Sequence, residues 1–327
     1  MIRPFQLRDL ALVHRLGEHG VVLQAEPALI SSPHPLRSAL IHMLVGGQYV
    51  TYVWRSADDD AAAFVQLQWE EGSSSVSLAC LGSRSDGAAT DEAPRLDEDV
   101  WLAVLDDLVA EIGSYGVHNL IAEVSETGDE LPVLRQAGFA VYTRQDIWIN
   151  DEHQESFDST VELSKRQEVD DWDVNVLYSS VVPRLIQSVE PSPPLDKGQS
   201  WILREDDELA AFVHIRNGPA ASWMRLLMHP NAQTEAGEVL KAALQIQRPS
   251  DSHPLYCCVR RYQSWLSSAL EEAGFVRWGA QAVMVRHIAQ RVQQRVPVLK
   301  GVLEAPAVRG SSGLVQGMTR SNGDKHA

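Results

Sequence analysis

The pattern that most constrains this chain occurs twice. Residues Leu134-Arg135-Gln136-Ala137-Gly138-Phe139 read as the end of an amphipathic helix, a glycine stop and a buried aromatic. A β-like run follows, ending Ile147-Trp148-Ile149. Leu270-Glu271-Glu272-Ala273-Gly274-Phe275 repeats the pattern, and Ala282-Val283-Met284-Val285 is again a β-like run. The two Ala-Gly-Phe triplets lie 136 positions apart. That is the size of a domain, well above the roughly 20–50 residues of a solenoid repeat. A chain of 327 residues with 44% hydrophobic content can supply a core to each of two such domains.

The segments between the repeats point to one order in both halves. Ile2–Phe5 reads as a short edge strand and Arg8-Asp9 as a helix start, with Leu10, Leu12, Val13 and Leu16 on one side. Leu36–Leu44 reads as a second helix. Gln48–Arg55, Ala62–Trp69 and Ser75–Leu81 read as an antiparallel run of strands. Gly82–Pro94 reads as loop. Asp97–Ile112 is the clearest helix, Leu120–Val124 a strand and Glu130–Gln136 a short helix. Residues 150–171 are polar and read as a linker or a crossover strand and loop. The second half gives a helix over Val174–Val189, broken by Pro191-Ser192-Pro193-Pro194. Strands follow at Trp201–Leu203, Ala210–Ile215 and Trp223–Met228, then a helix over Gly237–Gln245, a strand over Leu255–Val259 and a helix over Trp265–Ala273. The expected fold is α+β, a mixed central sheet with helices on both faces. The expected domains are 1–149 and 172–288, joined by 150–171 and followed by a basic, disordered tail over 289–327.

Charge and cysteine content exclude several functions. The net charge is −16, and residues 286–327 carry seven Lys/Arg against Glu304 and Asp324, a net +5 that leaves −21 elsewhere. Such a body disfavours nucleic acid. No apolar run approaches the roughly 18 residues of a membrane span, and the N-terminus lacks the apolar core of a signal peptide, so a cytoplasmic protein without membrane attachment is expected. Cys80, Cys257 and Cys258 are too few for a disulfide framework and suit small core residues. No Gly-x-x-x-x-Gly-Lys-Ser/Thr, His-Glu-x-x-His or Gly-x-Ser-x-Gly motif occurs.

Ile2-Arg3-Pro4 with Asp9-Leu10, Ala137-Gly138-Phe139 with Tyr142 and Ile147-Trp148, and Ala273-Gly274-Phe275 together resemble the GCN5-related N-acetyltransferase (GNAT) superfamily. The resemblance covers roughly residues 1–149 and 170–288 and implies two tandem GNAT folds. It also implies acetyl-CoA at the splayed end of the central strand and at the start of the following helix, behind a Gln/Arg-x-x-Gly-x-Gly/Ala loop. Small residues there let backbone N–H groups close on the pyrophosphate, and the helix N-terminus adds positive potential.

The first half has Arg95-Leu96-Asp97-Glu98-Asp99-Val100 at that place. Three carboxylates and no glycine cap a helix well but repel a diphosphate. The second half keeps more, in Leu226–Leu240 with its His229-Pro230 turn. Setting Gln233 at the first motif position puts Ala236 where glycine is usual and Glu238 where glycine or alanine is usual. The residues the resemblance points to for acetyl-CoA, in the C-terminal domain only, are Leu227, Met228, Gln233, Thr234, Ala236 and Gly237. Glu235 and Glu238 oppose it.

The family's usual acid is a Tyr four residues before the Gly of Gly-Phe. Here those residues are Leu134 and Leu270, and the Asn usual earlier in that segment is Thr127 or Gln263. Leucine transfers no proton. Tyr262 is a weak substitute acid, better read as a half-buried aromatic. His214, His229 and Glu208 are candidate bases, each more simply structural. Two readings result. One is an N-acyltransferase that moves an acetyl group from acetyl-CoA to a small-molecule or protein amine. The other is a catalytically inactive GNAT-fold module that binds a ligand or a protein.

Overall fold

The computed structural model describes residues 1–31, 34–69, 73–85, 96–152, 157–190, 192 and 198–288. The tail expected over 289–327, most of the loop expected over 82–94 and most of the proline-rich break lie outside the described residues.

The first half contains β1 (Ile2–Pro4), α1 (Leu10–Gly17), β2 (Val21–Val22), α2 (Ala25–Ser31), α3 (Pro35–Val45) and β3 (Tyr49–Arg55). It continues with β4 (Ala61–Trp69), β5 (Ser75–Ser85), α4 (Glu98–Gly113), β6 (Asn119–Ser125), α5 (Glu130–Gln136) and β7 (Ala140–Asn150). The second contains β8 (Ser164–Lys165), α6 (Asp171–Val181), α7 (Arg184–Gln187), β9 (Gln199–Glu205) and β10 (Glu208–Asn217). It ends with β11 (Ser222–Met228), α8 (Ala236–Ile246), β12 (Leu255–Arg260), α9 (Ser267–Glu272) and β13 (Val276–His287). The strand expected to stop at Leu81 runs on to Ser85. At Gly82 an added Cβ would lie 2.5 Å from the Phe64 ring, so glycine here marks close packing and not a loop. The helix expected over Val174–Val189 is two helices, because Pro183 supplies no N–H to continue the first.

The Ala-Gly-Phe repeat closes each short helix in a Schellman motif. Gly138 and Gly274 both have φ +83°. Phe139 N–H donates to Leu134 O and Gly138 N–H to Arg135 O; Phe275 N–H donates to Leu270 O and Gly274 N–H to Glu271 O. The motif favours an apolar pair between the aromatic and the leucine five residues before it. Leu134, Leu270, Phe139 and Phe275 are all buried.

The two halves share one mixed sheet in the order β1-β3-β4-β5-β6-β13-β7-β12-β11-β10-β9-β8, with β2 on β5. The closing strands are exchanged. β13, from the second half, pairs antiparallel with β6 over Gln281–His287, and β7, from the first half, pairs antiparallel with β12 over Gln145–Asn150. β7 and β13 also pair with each other. Helices cover both faces. In the first half α1 packs on Val53 and Phe64, while α4 and α5 pack on the opposite face. In the second half α6 and α7 cover Ile202, Phe212 and Leu227, while α8 and α9 cover Val213, Met224 and Met228.

The stretch 150–171, polar in sequence, contains β8 and a 3-10 turn, Glu168–Asp170. This repeats the opening of the chain. Asp9 accepts from Gln6 N–H and from Arg3; Asp170 accepts from Gln167 N–H and from Arg204. Both residues of β8 are exposed on an edge, which leaves no apolar alternation to read.

Helix α2, which the sequence pattern did not show, crosses from the first half onto β11. Ile30 is fully buried among Ile147, Ala221, Trp223 and Cys258. Gly218 permits this, since a Cβ there would lie 2.2 Å from Ile30 O. Gly218→Ala is expected to cost about 1–3 kcal/mol as an overpacked contact, read as a lower thermal midpoint. An unchanged midpoint would show that α2 yields at no cost.

Candidate functional site

Each half has one parallel strand pair that parts into a V. In the first half, β5 and β6 pair only over Ser75–Ser77 with Asn119–Ile121. In the second, β11 and β12 pair over Ser222–Arg225 with Leu255–Cys258 and then diverge.

The first V is filled by the chain itself. Val21 and Val22 pair with Leu81 and Cys80 of β5. Leu23 N–H donates to Ala79 O at 2.9 Å, and Glu123 N–H of β6 donates to Leu23 O at 2.8 Å. Ala25 N–H then donates to Glu123 Oε2 at 2.7 Å. Residues 21–23 thus act as a short extra strand between the two arms, and Leu23 is fully buried. Asp97 caps α4 by accepting from Val100 N–H at 3.1 Å.

The second V is open and ends at the loop before α8. Among the residues expected here, Gln233, Thr234, Ala236 and Gly237 come together at the start of that helix. Leu227 and Met228 lie just before it but face opposite ways, Leu227 toward α6 and Met228 toward α8. An added Cβ at Gly237 would meet nothing within 4 Å. The loop donors are already engaged. Glu205 accepts from Gln233 N–H at 2.7 Å and from Thr234 N–H at 2.8 Å, and Gln233 Nε2 donates to Asp206 at 3.0 Å. Asp206 and Asp207 both have positive φ, which makes a tight two-residue hairpin turn and sets Glu205 against the loop. Burial pushes the Glu205 carboxyl up, but the Thr234 and Gln233 donors more than reverse this and hold it below its usual range.

Solved structures share the fold. A GCN5-related N-acetyltransferase from Sphaerobacter thermophilus superposes with a TM-score of 0.52 at 11% identity, over 88% of this chain and 95% of that one. A tandem GNAT protein from the clavulanic acid biosynthesis pathway gives 0.52 at 11% identity, over 88% and 98%. This chain has the tandem GNAT fold. No family model and no curated protein matches its sequence. At 11% identity the likeness carries the fold, with its two α+β units.

The GNAT fold implies acetyl-CoA, and the residues present do not fit its diphosphate. Glu205, Asp206, Glu235 and Glu238 surround the loop. Carboxylates this close to the loop repel a phosphate. Lys241 is held by Glu238 at 2.8 Å. Lys241, with help from Thr160, keeps the Glu238 carboxyl down at about 2, so it stays charged.

On the other side of β11 the second V widens into a small, open-mouthed cavity. Tyr178, Phe212, Leu227 and Tyr262 form its apolar wall, and Glu190, His214, Arg225, Cys258, Arg260 and Gln263 its polar wall. Arg260 Nη2 holds both Glu190 oxygens, at 2.7 and 2.9 Å, and Tyr142 also donates to Glu190. Arg225 reaches Glu26 of α2 at 2.9 Å. His214 Nδ1 meets Ser200 Oγ at 2.9 Å. Burial raises the Tyr178 and Tyr262 phenols and pushes the Cys258 thiol up to about 12. These three groups stay protonated at neutral pH, so none is a poised base or nucleophile.

The other catalytic candidates are placed plainly. Leu134 and Leu270 are buried in the Schellman motifs. His229 Nδ1 accepts from Asn231 N–H in the turn after β11. Glu208 is exposed at the start of β10. The sequence reading missed Glu205, which sits in what reads as an ordinary acidic turn, and Glu190, which lies beside the proline-rich break.

Proposed function

We propose that this chain is a GNAT-fold ligand-binding protein whose site is the cavity of the second half, and that it does not transfer acetyl groups by the usual GNAT route. The engagement of the Gln233 and Thr234 N–H groups by Glu205 carries this reading, because a carboxylate from the chain sits where a cofactor phosphate would need those donors. The filled first V and the leucines at both acid positions support it. The proposed units are 1–149 and 172–288, and the ligand is a small molecule.

Titration with acetyl-CoA tests this. A ligand at 100 Kd adds about 2.7 kcal/mol to a protein that binds it, a shift of several degrees in thermal midpoint. The expected result is no heat and no shift at millimolar acetyl-CoA. A clear shift overturns the reading.

The parting of β11 and β12 and the open space over Gly237 favour a second reading, an N-acyltransferase with acetyl-CoA in the C-terminal half and a small-molecule or protein amine as acceptor. Acetyl transfer to amines, lost in Gly237→Asp, would establish it.

A further inference from the structure

Three buried nitrogen donors of residues that line the cavity find no acceptor among the described residues: Arg225 Nε, Arg260 Nη1 and Gln263 Nε2. Gln263 is only 2% exposed. Buried donors without acceptors are destabilising until something meets them. The neighbouring acceptors are engaged elsewhere. Glu190 is held by Arg260 Nη2 and Tyr142, Glu26 by Arg216 and Arg225, and one oxygen of Glu123 by Ala25 N–H. The lining itself holds two guanidinium groups and one carboxylate. The same cavity is lined by Tyr178, Phe212, Leu227 and Tyr262, with the Phe212 ring stacked on His214 at 6.3 Å and 10°.

We propose that the cavity binds a small monocarboxylate with a flat apolar body, its carboxylate taking the Arg225 Nε, Arg260 Nη1 and Gln263 Nε2 donors. A carboxylate has acceptor sites enough for all three, and its bonds to the guanidinium donors are charge-assisted. Its body lies against the aromatic wall, where stacking and burial favour it. A neutral amide of the same shape turns donors toward donors. A phosphate brings more charge and no apolar body. This assignment rests on the reading of the cavity as the ligand site.

Benzoate, with benzamide as its neutral isostere, tests it in calorimetric titrations of the full chain run beside acetyl-CoA. Saturable benzoate binding is expected, with benzamide at least about tenfold weaker. Gln263→Leu is expected to weaken benzoate by about tenfold or more without lowering the thermal midpoint, since it removes an unmet buried donor. Arg225→Met is expected to weaken benzoate likewise, with a lower thermal midpoint because Glu26 then keeps Arg216 alone. Equal binding of benzamide, absence of saturable benzoate heat (the donors then being met by water alone), or full benzoate affinity in both variants would each overturn the assignment. Benzoate binding together with acetyl transfer would overturn the proposed function and leave this assignment standing. Absence of both would overturn this assignment alone.

Discussion

Expressed alone, residues 1–150 will not fold. Strand β6 loses β13, its partner over seven paired positions, Gln281–His287 with Asn119–Ser125. Val283, Met284 and Val285 of β13 are each 2% exposed or less. Burial of such side chains contributes about 1.5–3 kcal/mol each, so the three together approach the roughly 5–15 kcal/mol that holds a whole domain. The loss also bares the β6 edge, a template for aggregation. Residues 151–327 alone lose β7, which pairs with both β12 and β13. Circular dichroism and thermal unfolding of each half check this, with the co-expressed halves as the positive control. A cooperative transition in either isolated half would show that the exchanged strand is dispensable.

Glu26→Ala is expected to destabilise the chain by about 3 kcal/mol. The carboxylate holds Arg216 at 2.8 Å and Arg225 at 2.9 Å, and its side chain is 14% exposed. Breaking a buried pair from one side costs about 3–5 kcal/mol, because the remaining charge is left uncompensated. The lower end applies because both arginines keep about a third of their surface in water. Burial pushes the Glu26 carboxyl up, but Arg225 and Arg216 more than reverse this, so its folded value lies below its ordinary one. Its contribution is therefore fully present above the ordinary glutamate value and is lost as pH falls through the depressed one. Urea unfolding across acid pH should show a shallower loss of stability in Glu26→Gln than in the unaltered chain. Parallel curves would mean that Glu26 does not couple α2 to the second half.

Local physics made much of the fold legible. Gly138 and Gly274 announce helix stops because the backbone there needs positive φ, and the apolar residues around them keep helical and strand periods. Asp97 announces its helix by capping it. Legibility failed where a segment's role depends on what it packs against. Val21–Leu23 is too short to carry a period, and its place between β5 and β6 follows from backbone donors and acceptors that no side-chain pattern encodes. Leu134 and Leu270 look like losses of a catalytic tyrosine, and in the structure they are also the apolar partners that the helix stop favours.

The repeated Ala-Gly-Phe unit, by itself, determined that there are two units of one kind, because a Schellman stop with an apolar pair is a local device and survives duplication unchanged. Which strand completes which unit was decided only by the tertiary structure. β7 and β13 carry equally apolar patterns, and either could pair with its own half or with the other, since ladder hydrogen bonds do not distinguish their source. The state of the two clefts was decided there too. One is filled by a strand of its own chain. The other is open, with its loop donors held by Glu205, a residue 28 positions away that only the fold brings to them.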